Sequence, residues 1–175
     1  MAPVVALTGF MGSGKSSVGV AAATLLGWSF VDLDGEVERS LGATIADVFS
    51  TKGEEFFRKA ELEVLRSVLG DLRFPSGLVL ALGGGTLMSP DAADLVREAS
   101  TVIYLQLDPA TAWERVKASD RPLARDKDAF GALFASRAHL YEGGADAVVA
   151  VDQKTVDHLA GEVATLTRRL TKELS

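Results

Sequence analysis

Five short runs of β-branched and apolar residues recur along the chain, at Val4–Thr8, Trp28–Asp32, Leu78–Leu82, Thr101–Leu107 and Ala147–Val151. Most are apolar at successive rather than alternate positions, the pattern of strands covered by helices on both faces. The segments between them read as helices with recognisable ends. Gly14–Leu26 is rich in Ala, Val and Leu and is followed by Gly27, a residue type that closes helices. Ser89-Pro90 supplies an N-cap and a first-turn proline for a helix running to about Ala99. Over Thr155–Leu174, the residues Val156, Leu159, Val163, Leu166 and Leu170 recur on one face. Strands alternating with helices predict a three-layer α/β/α fold around a parallel sheet, built as one domain over residues 1–175. The polar stretch Ala118–Asp128 interrupts this alternation and reads as a mobile loop, a lid at about 118–128.

Composition narrows the class. The 175 residues are 47% hydrophobic, enough for a sizeable core, and 18 Lys+Arg against 24 Asp+Glu give a net charge of −6. That balance argues against a broad nucleic-acid or membrane-binding surface. The chain has no Cys, so it has no disulfide framework, thiolate zinc site or cysteine nucleophile; with two His, at His139 and His158, a His-rich metal site is not expected. Met1-Ala-Pro-Val-Val lacks a basic leader region, and no segment approaches the roughly 20 apolar residues of a membrane span. The expectation is a cytoplasmic, single-domain protein.

The strongest chemical signal lies between the first strand and the first helix. Gly9-Phe-Met-Gly-Ser-Gly14-Lys15-Ser16 matches the phosphate-loop pattern GxxxxGK[ST] at every fixed position and in the required context. Its glycines let backbone N–H groups converge on phosphate oxygens, and the helix N-terminus adds positive potential. Gly12, Ser13, Gly14, Lys15, Ser16 and Ser17 are therefore candidate ATP-binding positions. Lys15 would reach the β- and γ-phosphates, and the Ser16 hydroxyl would bind Mg²⁺. No Asn-Lys-x-Asp segment for reading guanine occurs, and the chain is short for a motor or transporter ATPase. A small-molecule or nucleotide kinase remains, and it needs an acceptor site, a group to orient the acceptor hydroxyl and a lid.

Charged residues elsewhere fit those needs. Asp32 and Asp34 end the second predicted strand, two positions apart, at the sheet edge where ligands bind in open α/β folds. One carboxylate would help hold Mg²⁺ and the other orient or deprotonate a hydroxyl, although Asp34 would equally serve to cap a helix over Gly35–Leu41. Arg58 and Glu61 lie on the helical segment Glu54–Leu69 in rows otherwise apolar, spaced so that Glu61 can hold Arg58; a snorkelling arginine is the alternative. Arg137 interrupts the apolar stripe Phe130, Leu133, Phe134, Leu140, Tyr141, which points either to an anionic acceptor or to a structural salt bridge. Gly83-Gly84-Gly85 follows the third strand and suits either close ligand approach or a tight turn. Arg121, in Arg121-Pro-Leu123, is either a lid cation over the phosphates or a solvated loop residue.

Taken in order, these residues resemble the shikimate kinase family along almost the whole chain. The similarity is carried by the loop Gly9–Ser16 with its Phe-Met filling, Asp32-Leu-Asp34, and Ile45-Ala-Asp-Val-Phe49 with Gly53, Phe57-Arg58 and Glu61. Gly83–Gly85, Arg121-Pro122-Leu123 and Arg137 with Leu140-Tyr141 complete it. Ser17 replaces a usual Thr, and Ala124 stands where a second Leu is common. The resemblance implies a P-loop, nucleoside-monophosphate-kinase-like fold with a five-stranded parallel sheet. It also implies MgATP-dependent phosphorylation of the 3-hydroxyl of shikimate, a step of aromatic amino-acid biosynthesis through chorismate. Carried over by position, Asp34 is the catalytic base, with Lys15 and Arg121 as catalytic cations. Arg58 and Arg137 grip the acceptor carboxylate beside Gly83, Gly84 and Gly85, while Ser16 and Asp32 serve Mg²⁺. Arg115 or Lys117 would face adenine. A monomer is expected, and gluconate, another carboxylated acceptor, is the alternative substrate.

Overall fold

The computed structural model describes residues 2–117 and 126–173. Five strands alternate with helices as the hydrophobic pattern predicts: β1 (Val4–Thr8), β2 (Ser29–Asp32), β3 (Leu78–Ala81), β4 (Thr101–Gln106) and β5 (Ala147–Ala150). All pair in parallel in the order β2-β3-β1-β4-β5. The helices are α1 (Lys15–Leu26), α2 (Leu33–Leu41), α3 (Ile45–Leu69), α4 (Pro90–Ala99), α5 (Pro109–Val116), α6 (Lys127–Gly143) and α7 (Val156–Glu173), with a short 3₁₀ turn at Thr86–Met88. No helix among the described residues is long and apolar enough to cross a membrane.

The core follows from continuous apolar strands. Val5, Ala6 and Leu7 of β1 and Val79 and Leu80 of β3 are fully buried, as central strands with helices on both faces require. The edge strand β5 departs from the expectation of two covered faces, since Val148 is 50% exposed while Val149 is buried. On α7, Leu159 and Val163 pack inward as predicted, but Val156 in the first turn is exposed. The register aligns Asp32, Ala81, Leu7 and Ile103 in one row across four strands. The sheet therefore ends β1, β2 and β3 at nearly the same level, and the connections that follow them share one edge.

Two helix boundaries differ from the sequence reading, for local reasons. Asp32, not Asp34, caps α2, its side chain accepting a hydrogen bond from Gly35 N (3.4 Å). The helix thus begins two residues earlier than Gly35, and Asp34 sits in its first turn rather than at a strand end. Residues 126–128, assigned to the polar loop, form the start of α6: Asp126 accepts from Asp128 N (3.0 Å) and Ala129 N (2.9 Å). Within α3, Gly53 at φ 81°, ψ 171° breaks the helix into two arms. The Phe49 and Phe57 rings meet across that break, 4.8 Å apart.

Candidate active site

A cleft of about 440 Å³ opens at the C-terminal edge of the sheet. It draws together the phosphate loop, Asp32, Asp34, Arg58, Glu61, Gly83–Gly85 and Arg137, with Ile45, Phe49 and Phe57 as an apolar wall. The predicted positions Gly12, Gly14, Lys15, Ser16 and Ser17 all line it. Ser13 does not: its side chain is fully buried beneath the loop, and its backbone N–H donates to Phe10 O (3.2 Å). Arg121, with Leu123 and Ala124, lies outside the described residues.

On the loop side, Gly12 (φ 84°) and Gly14 (φ 87°) adopt left-handed backbone conformations that side chains with a Cβ resist. That turn folds Lys15 back so that its Nζ donates to Gly9 O (2.7 Å) and Phe10 O (3.3 Å). Ser16 Oγ donates to Asp32 Oδ2 (2.5 Å), joining the start of α1 to the end of β2. A hydroxyl and a carboxylate in contact form a hard oxygen pair suited to Mg²⁺, which takes few protein ligands and completes its shell with phosphates and water. Among the described residues no group of three or more His, Cys, Asp or Glu is arranged to hold a metal. Arg115 Nη1 donates to Gly12 O (3.0 Å), whereas Lys117 pairs with Glu114, so Arg115 is the cation of α5 that touches the loop.

The acceptor side is assembled from separate elements. Asp34 is pushed up to about 6, first by burial and then by the negative charges of Glu61 and Asp32, with Lys15 pulling the other way. Glu61 is 1% exposed; it accepts from Arg58 Nη1 (2.7 Å) and from Thr86 Oγ1 (2.6 Å). Arg58 is thereby held in the cleft wall and does not snorkel. Arg137 Nη1 donates to Gly84 O (3.2 Å), and its buried Nε has no hydrogen-bond partner among the described residues. Among the described residues it makes no ion pair with a carboxylate. Tyr141 Oη donates to the same Gly84 carbonyl (2.5 Å), and burial pushes its hydroxyl up to about 12.

Two of the three glycines after β3 yield space to side chains. A methyl built on Gly83 would lie 2.5 Å from Asp34 Oδ1, and one on Gly85 would collide with Arg58 Nη2. Gly84 lies beside Arg137 Nη1. Thr86 and the bond made by Tyr141 escaped the sequence reading. Thr86 carries no signal beyond following the glycines, and the Tyr141 ring looks like one more apolar position of α6.

Comparison with known proteins agrees with this fold. The shikimate kinase family model matches residues 11–168. The shikimate kinase of Geobacter sulfurreducens is 38% identical over 170 residues, covering 94% of this chain and 90% of the relative. The structure of Acinetobacter baumannii shikimate kinase in complex with shikimate superposes with a TM-score of 0.84 at 30% identity, covering 100% of this chain and 97% of that one. A gluconokinase from Sinorhizobium meliloti, at 18% identity and a TM-score of 0.65 over 98% of this chain and 95% of its own, shares the fold alone.

Proposed function

The chain belongs to the shikimate kinase family, and on that premise we propose how its residues divide the transfer of the γ-phosphoryl group of ATP to the 3-hydroxyl of shikimate. The enzyme is an ATP-dependent phosphotransferase with an alcohol acceptor. One observation carries the assignment of roles: two guanidinium groups, Arg58 and Arg137, and one carboxyl with a raised pKa, Asp34, line the same cleft as the phosphate loop. Arg58 and Arg137 hold the acceptor carboxylate through charge-assisted hydrogen bonds and so orient the ring. Asp34, in the cleft beside Gly83, orients the acceptor hydroxyl and accepts its proton. The loop amides and Lys15 hold the β- and γ-phosphates in line with that oxygen. Ser16 and Asp32 would hold Mg²⁺, which when bound neutralises phosphate charge. Arg121, by its resemblance to the family's lid cation, is assigned to stabilise the transition state. Cytoplasmic location, a monomeric state and organisation as one domain over residues 1–175 belong to the same proposal and rest on family membership.

The test is a coupled ADP-release assay with MgATP and a small panel of acceptors. Shikimate-dependent ADP formation, with little turnover of gluconate, is expected. Folded protein that releases ADP with gluconate but not with shikimate would overturn the assignment.

A further inference from the structure

Glu61 is the one charged side chain among the described residues that is almost fully buried. A carboxylate so placed needs both oxygens satisfied, because an unmet buried charge is costly. Oε2 receives Arg58 Nη1 from one turn earlier on the same helix, and Oε1 receives the hydroxyl of Thr86. Thr86 is itself fully buried, and its backbone N–H donates to Gly83 O (3.2 Å), so the glycine turn fixes where that hydroxyl sits.

We propose that Thr86 is a positioning residue that keeps the Arg58–Glu61 pair single-toothed and thereby leaves the rest of the Arg58 guanidinium for the acceptor carboxylate. The inference rests on the proposed acceptor reading. Arginine and a carboxylate left to themselves favour two parallel N–H···O bonds. Here only Nη1 meets Glu61, at Oε2, while Oε1 accepts from the Thr86 hydroxyl. The Nη2 group instead lies against Gly85, and Nη2 and Nε reach only the exposed Glu54, at 3.3 Å and 3.4 Å. Without the Thr86 hydroxyl, Glu61 Oε1 takes a second N–H from Arg58, and the guanidinium turns towards the helix and away from the cleft. The expected signature is weaker acceptor binding with unchanged donor binding, since this chain of bonds joins α3 to the turn after β3.

The experiment compares Thr86→Val, Thr86→Ser and the wild-type enzyme in steady-state kinetics, with shikimate binding measured by calorimetry. Thr86→Val should raise the shikimate KM about tenfold, as loss of one hydrogen bond to a buried charge does, with kcat and the ATP KM little changed. Thr86→Ser, which keeps the hydroxyl, should stay near wild type. If the valine variant does not fold, Thr86→Ala and Thr86→Ser differ by the hydroxyl alone and carry the same comparison. An unchanged shikimate KM in Thr86→Val, a serine variant as impaired as the valine one, or parallel losses for both substrates would overturn the proposal while leaving the acceptor reading intact. Wild-type enzyme that neither binds nor turns over shikimate would overturn both.

Discussion

Two glycine-rich turns follow neighbouring strands, and they use glycine for opposite reasons. In the loop after β1, Gly12 and Gly14 have positive φ, so their backbone could not run this way with ordinary residues. In the turn after β3, no residue has positive φ; Gly85 sits at φ −115°. There the missing side chains make room for Asp34 and Arg58. One turn is a shape made of backbone, whose chemistry is its own N–H groups. The other is a space into which side chains from α2, α3 and α6 project. On the proposed roles, donor binding is written mainly in one continuous stretch of chain, with Asp32 and Arg121 added from elsewhere, and acceptor binding in several.

Substitutions on each side should separate these two designs. The largest effect is expected from Lys15→Ala, which removes the loop's only fixed side-chain cation. Turnover should fall at least about 10³-fold while calorimetric binding of shikimate survives. Loss of both would mean that the two sides are not independent. Asp34→Asn should lower kcat by about 10²-fold or more and leave the ATP KM nearly unchanged. In the wild type, kcat/KM for the acceptor should fall as pH drops below about 6, where Asp34 takes up its proton.

The same shift has a consequence for stability, with the opposite sign. The folded pKa of Asp34 lies above its ordinary 3.8, so between those values the native state holds more protons than the unfolded chain and stability declines as pH rises. Asp34→Asn should therefore be more stable than wild type at pH 8, by at most about 3 kcal/mol, and lose that advantage near pH 4. Thermal melts at the two pH values measure it. A smaller and more discriminating contrast pairs Gly85→Ala with Gly12→Ala. Gly85→Ala should fold normally yet raise the shikimate KM about tenfold, because Arg58 has to move. Gly12→Ala should lose about 1–2 kcal/mol of stability through left-handed strain and weaken ATP. If both variants show the same pattern, the distinction between shape and space is wrong.

What the sequence disclosed follows the same division. The strands were legible because burial on both faces leaves continuous apolar runs, and the phosphate loop because its function is local. Arg58, Glu61 and Arg137 were visible as charges on faces that should be apolar. The partner of Arg137 was not, because whether α6 meets a carboxylate or the Gly84 carbonyl is decided by tertiary packing. Asp34 was assigned to a strand end because Val31-Asp-Leu-Asp34 continues the alternation, but the Asp32 cap starts the helix inside that run. Thr86 gave no pattern at all. A single hydroxyl acquires meaning only when a helix 25 residues earlier brings a buried carboxylate to it.

The pairing of β1 with β3 bears on how accurately the two substrates meet. Leu7 is in register with Ala81, and the last bond of the ladder runs from Leu82 N to Leu7 O (3.0 Å). Each strand then needs one further residue to reach its turn: Thr8 before Gly9, and Leu82 before Gly83. The donor and acceptor turns thus leave the sheet side by side, separated by about the 4.8 Å spacing of adjacent strands. The hydrogen bonds of the ladder thus set how far apart the two turns leave the sheet. A one-residue insertion in β1 would displace the phosphate loop and Lys15 relative to the turn after β3, and one in β3 would displace Gly83–Gly85 relative to the loop.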